Sequence, residues 1–157
     1  MYRAFIVIVC MAMVAMACNN SSSGSEASNR KNGYSSAPKT KEDSLYLEVM
    51  AGHDAGMAKE GKLRKSIHDV QHLLDSVGKL PAKKVDAAYK QRLTNTKTAL
   101  NNANNEMNAW MDGFKIDSAK GNPDRRIQYL QAEKEKVTLV KEHMLSSLQQ
   151  ADSLLKK

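Results

Sequence analysis

The chain has 157 residues, 24 of them basic and 17 acidic, for a net charge of +7, and only 5% are aromatic. Its two cysteines, Cys10 and Cys18, both lie near the start, so the rest of the chain excludes a disulfide framework or a cysteine nucleophile. The basic excess suits an anionic surface such as lipid headgroups or a polyanionic glycan, although lysines solvated on helix faces give the same count.

Met1-Tyr2-Arg3 is a short basic start, and Ala4 to Ala17 is apolar without a break. That run is about 14 residues, whereas a spanning helix needs ~20, so a retained transmembrane anchor is not expected. Ala15-Met16-Ala17-Cys18 places small residues just before a cysteine. The segment resembles the lipobox of bacterial lipoproteins, in which the cysteine is lipidated and becomes the mature first residue. The departure is Ala15, where leucine is usual. The resemblance implies a signal peptide over residues 1–17, lipidation at Cys18 and a permanent membrane anchor. Arg3 leaves with the signal and no acidic residue does, so the net charge falls from +7 to +6. An envelope address argues against nucleic acid as the partner. Asn19 follows Cys18, whereas aspartate there resembles an inner-membrane retention signal. The acidic run linked to surface export is missing from Asn19-Asn20-Ser21-Ser22. The expected location is the outer membrane, facing the periplasm.

Residues 18–40 hold the lipidated cysteine and a Ser/Asn/Gly/Lys-rich stretch with no apolar period, a flexible linker. Such a linker has a root-mean-square reach of roughly 25 Å. From residue 41 the pattern turns helical. Thr40 and Asp43 form a capping-box-like pair, and Leu45, Val49, Gly56, Leu63, Ile67, Val70, Leu74 and Val77 mark one buried stripe. Gly78 would end the first helix, and Pro81 suits the first turn of the second. The second stripe runs Val85, Tyr89, Leu93, Thr96, Leu100, Ala103, Met107, Trp110 and Phe114. Asn122-Pro123-Asp124 is a strong start signal for the third, with Ile127, Leu130, Val137, Val140, Met144, Leu148, Ala151 and Leu155 as its stripe. The expected fold is all-α: an elongated up-down-up three-helix bundle over residues 41–157, antiparallel and coiled-coil-like, with helices at about 41–77, 81–113 and 123–156.

Folding about turns near residues 79 and 118 would bring His53 opposite Asn105, and Glu106 opposite Leu130. One end of the bundle then gathers Tyr46, Met50, His53, Asp54 and Met57 from the first helix. The second brings Met107, Trp110, Met111 and Phe114, and the third Tyr129 and Glu133. Of these, Met50, His53, Asp54, Met57, Met107, Trp110, Met111 and Phe114 are the candidate binding cluster. At His53-Asp54-Ala55-Gly56-Met57 and Trp110-Met111-Asp112-Gly113-Phe114 the chain resembles a group of small helical lipoproteins from Bacteroidota, often labelled viral A-type inclusion proteins. The resemblance spans roughly residues 45 to 155 in layout. It implies a helical lipoprotein and carries over no activity.

Three chemistries merit weighing. Thioethers plus an imidazole suit Cu(I), so His53 with Met57, Met107 and Met111, and Met50 as a further thioether, could hold copper under Trp110. The competing reading is a methionine–aromatic core with His53 hydrogen-bonded to a partner such as Glu133, since methionine fills irregular gaps and favours ring edges. His68 and His72 have the i, i+4 spacing of zinc pairs, with His143 expected within about a turn of them. Both flank the buried stripe, where solvated histidine is the rule. Asp54, Glu60, Asp112 and Glu133 could meet near His53, but no spacing singles out an acid–base pair. The expected role is therefore non-enzymatic: a membrane-anchored binding or scaffold module for an envelope protein or an anionic glycan, with no cofactor. Periplasmic Cu(I) binding is the alternative.

Overall fold

The computed structural model describes residues 37–156. The signal-like run, Cys18 and nearly all of the linker lie outside the described residues. Three long helices follow one another: α1 (Lys41–Gly78), α2 (Ala87–Gly113) and α3 (Pro123–Leu155). All three pairs pack on one another, so the up-down-up bundle is the fold. No described helix is long and apolar enough to cross a membrane.

The sequence dictates most of the boundaries. Thr40 and Asp43 form a reciprocal capping box: the Asp43 amide donates to Thr40 Oγ1 at 3.0 Å, and the Thr40 amide to Asp43 Oδ2 at 3.2 Å. Asn122 Oδ1 accepts from the Arg125 amide at 3.0 Å, with Pro123 in the first helical turn.

The second helix departs from expectation. It starts at Ala87, not near Pro81. Pro81 instead opens a short 3-10 turn, Ala82–Lys84, closed by the Lys84 amide on Pro81 O at 2.8 Å. Val85 is then extended, which breaks the helical ladder, and Asp86 restarts it by accepting from the Tyr89 amide at 3.0 Å. Gly78 is the last residue of α1 rather than a left-handed cap. Lys79 follows in right-handed conformation (φ −84°) and its amide turns back to Ser76 O at 3.2 Å. The helices are consequently unequal, at 38, 27 and 33 residues.

The core is the three stripes interleaved. Val49, Leu63 and Val70 on α1, Leu93 and Leu100 on α2, and Leu130, Val137 and Ala151 on α3 have no exposed surface. Ser66, Thr96 and Ser147 are buried too, and Ser147 Oγ donates back to Met144 O at 3.0 Å. Near the end of α3 the buried residue is Leu154, whereas Leu155 is half-buried. Among the described residues every buried one lies between Leu45 and Leu154, so residues 37–156 contain a continuous core of their own and fold as a unit.

α1 and α3 run in the same direction. Gly52 faces Val137, Gly56 faces Met144, and Lys62 pairs with Asp152 at 2.7 Å. This register places the end of α3 near Ile67. About three turns of α1, with the start of α2, therefore project beyond α3 as a two-helix hairpin.

Candidate functional site

The singled-out end of the bundle is built around two notches on α1. A side chain at Gly56 would collide with the ε-methyl of Met107 and approach Met144 Sδ at 3.3 Å. Gly52 similarly admits Val137, whose Cγ1 would lie 2.9 Å from an added Cβ. The missing side chains let a thioether from α2 and a β-branched residue from α3 press against the α1 backbone. Met107 is 2% exposed and Met144 1%, so both thioethers here are packed inside the core.

From these notches a ladder of rings crosses the bundle. His53 lies 5.7 Å from Trp110, Trp110 stacks on Phe114 at 5.2 Å, and Phe114 faces Tyr129 at 6.1 Å. The Arg126 guanidinium sits 5.8 Å from the Tyr129 ring centre, a cation–π distance. Arg126 closes the circuit: its side chain has no exposed surface, Nε donates to Glu42 on α1 at 3.2 Å, and Nη1 donates to Ser118 O in the α2–α3 turn at 2.9 Å. In that turn Ala119 takes a left-handed φ of 58°. The rings therefore join α1 to α2 to α3, and Arg126 returns to α1.

The polar groups of this end bond one another. Trp110 Nε1 donates to Glu133 Oε2 at 3.0 Å, and Lys136 Nζ donates to Glu133 Oε1 at 2.8 Å. Glu133 holds the Lys136 ammonium above its ordinary value, through the hydrogen bond first and charge second. Tyr129 OH accepts the Lys115 amide at 2.7 Å, tying the end of α2 to α3. His53 Nδ1 and Asp54 Oδ1 lie 3.0 Å apart. No buried side-chain polar atom among the described residues lacks a hydrogen-bond partner.

Several expectations need correction. The predicted pairing is off by one to two turns: His53 meets Trp110 rather than the level of Asn105, and Trp110 meets Glu133 rather than the level of Arg126. The later start of α2 accounts for the first of these shifts, because it moves the α1–α2 folding axis along the chain. Glu133 pairs with Trp110 and Lys136, and His53 with its neighbour Asp54.

His143 does not join His68 and His72. It follows Met144's level beside Gly56 and pairs with Glu106 at 2.6 Å, while both other histidines are exposed. Glu60 is bound by Arg64, and Asp112 is exposed. Among the described residues no three His, Cys, Asp or Glu side chains are placed to hold a metal ion.

Met50, Met57, Met111 and Phe114 are each half-buried against the core of which Met107 and Trp110 are part. A shallow groove of about 210 Å³ between α2 and α3, floored by Ala103 and Ser147 and rimmed by Glu106 and His143, lies apart from them. Sequence reasoning missed Arg126 and Glu42. The signal was present, since Arg126 stands four residues before Leu130 on the buried stripe.

Comparison with family models, curated proteins and solved structures finds no match to this chain. The functional reading accordingly rests on its own residues.

Proposed function

We propose that this protein is a lipid-anchored cell-envelope bundle that works without catalysis, as a binding or scaffold module. The observation that carries the reading is the arrangement before the bundle: a basic start, an apolar run, Ala15-Met16-Ala17-Cys18, and a polar stretch that leads to the capped start of α1. Cys18 is the lipidated residue, and residues 18–40 are the tether. Asn19 favours the outer membrane on its periplasmic side. A non-catalytic role draws support from the bundle end, where Glu133, Trp110, Tyr129 and Arg126 are engaged with one another and with backbone.

The test is fractionation of cells producing the protein. Wild type is expected in the membrane fraction, extracted only by detergent, and Cys18→Ser is expected in the soluble periplasmic fraction or as an uncleaved precursor. Wild type recovered as a soluble periplasmic protein would overturn the anchor.

Periplasmic Cu(I) binding is the second reading. The observation in its favour is that the His53 side chain is 21% exposed and shares its bundle end with the half-buried Met50, Met57 and Met111.

A further inference from the structure

The positive charge of the helical region is concentrated in one place. Between Lys79 and Lys97 there are six basic residues and one acidic residue, whereas residues 37–78 and 98–157 hold 15 of each sign. The exception, Asp86, is committed to capping α2. This segment begins with the turn and the start of α2 at the tip of the hairpin that projects past α3, where Lys79, Lys83, Lys84 and Lys90 lie, and continues into α2. Lys79, Lys83, Lys84 and Lys90 are exposed and enter no ion pair. Elsewhere on the bundle Lys62, Arg64, Lys65, Lys120, Arg126, Lys134 and Lys136 have carboxylate partners, and the basic residues without one, such as Lys59 and Arg125, are scattered among acidic residues rather than gathered.

Among these lysines stands Leu80, 46% exposed. The turn holds it there: the Leu80 amide donates to Val77 O at 3.2 Å and the Lys84 amide to Pro81 O at 2.8 Å. Pro81 and Ala82, also exposed, complete an apolar apex. We propose that this tip, with Leu80 at its apex and Lys79, Lys83, Lys84 and Lys90 around it, docks on an anionic phospholipid surface.

Two features favour lipid over glycan. An apolar apex ringed by lysines suits an interface where the leucine enters the headgroup layer while the ammonium groups stay with the phosphates. Sugar recognition draws on amide, hydroxyl and aromatic side chains; residues 79–88 contain none of these, and beside Lys90 the Tyr89 ring is half-buried with Arg92 5.8 Å from its centre while Gln91 is hydrogen-bonded to Asn95. The tip is also the end of α1 opposite the tether, about 57 Å away at 1.5 Å per residue over 38 residues. Docking there is a separate event from anchoring at Cys18 and does not depend on it.

The experiment is vesicle co-sedimentation of residues 37–157, which lack Cys18, with helicity of each variant checked by circular dichroism. Vesicles are pure phosphatidylcholine or phosphatidylcholine with phosphatidylglycerol. Binding is expected only to the anionic vesicles and should weaken steeply with salt. The Lys83→Glu/Lys84→Glu variant should bind about tenfold more weakly or worse. Leu80→Ser should bind several-fold more weakly. Lys59→Glu/Arg125→Glu makes the same change in net charge away from the tip, and should bind as wild type. Equal losses in both double variants would reduce the effect to net charge and overturn the proposal. Failure to bind anionic vesicles would also overturn it, as would binding to isolated peptidoglycan alone with the same loss in Lys83→Glu/Lys84→Glu.

Discussion

Glycine has opposite meanings at neighbouring positions of α1. Gly61 is exposed with nothing within 4 Å of an added Cβ, so it contributes only backbone freedom to the unfolded chain. Gly61→Ala should stabilise the bundle by about 1 kcal/mol in urea unfolding. Gly52→Ala should instead destabilise it, by about 1–2 kcal/mol, because the Val137 methyl it meets belongs to a stiff β-branched side chain. The same logic of local engagement applies to Trp110. Trp110→Phe keeps a ring between His53 and Phe114 but removes the donor to Glu133, which is 5% exposed. A loss of about 2 kcal/mol is expected. Adding Glu133→Leu should recover part of it, since removing both partners leaves no buried acceptor short of a bond. A double variant no more stable than Trp110→Phe would show that the indole N–H contributes little.

At the scale of elements, the helix starts follow local chemistry. Asn122→Ala and Asp86→Ala should each cost about 1 kcal/mol, as loss of an N-cap does. Pro81→Ala should leave α2 intact, because the helix starts six residues later and depends on Asp86. Equal effects of Pro81→Ala and Asp86→Ala on helicity would contradict that boundary. The three stripes, the capping box at Thr40 and the Asn122-Pro123 start were legible in the sequence because each is a local pattern with a fixed period or spacing. The start of α2 was misread because proline suits both a helical first turn and a 3-10 turn. The choice between them fell to Val85 and Asp86, whose conformations the pattern alone does not fix. That displacement carried into the α1–α2 pairing, so that His53 was expected opposite Asn105 rather than Trp110.

Across the whole molecule, two ends are distinguished. The end at which α1 starts carries the ring ladder closed by Arg126 and Glu42, and the hairpin end carries Lys79, Lys83 and Lys84 around Leu80. The gathering of His53, Trp110 and the methionines was legible as composition, since folding two turns brings them to one end. What they do to one another was not, because it depends on notches: Met107 turns its methyl into Gly56, a contact between residues 51 positions apart in sequence. The charge concentration was equally visible as residue identities, but its meaning needed the register showing that the hairpin projects past α3.

On this account the His53, Trp110 and methionine end of the bundle is packing rather than a metal site. The most direct test is an anaerobic Cu(I) competition titration on residues 37–157, followed by Trp110 fluorescence. The account predicts no binding beyond that of a weak chelator, with Met57→Leu indistinguishable from wild type. Tight stoichiometric binding, lost in both Met57→Leu and Met107→Leu while helicity is unchanged, would contradict it and make the protein a periplasmic copper carrier.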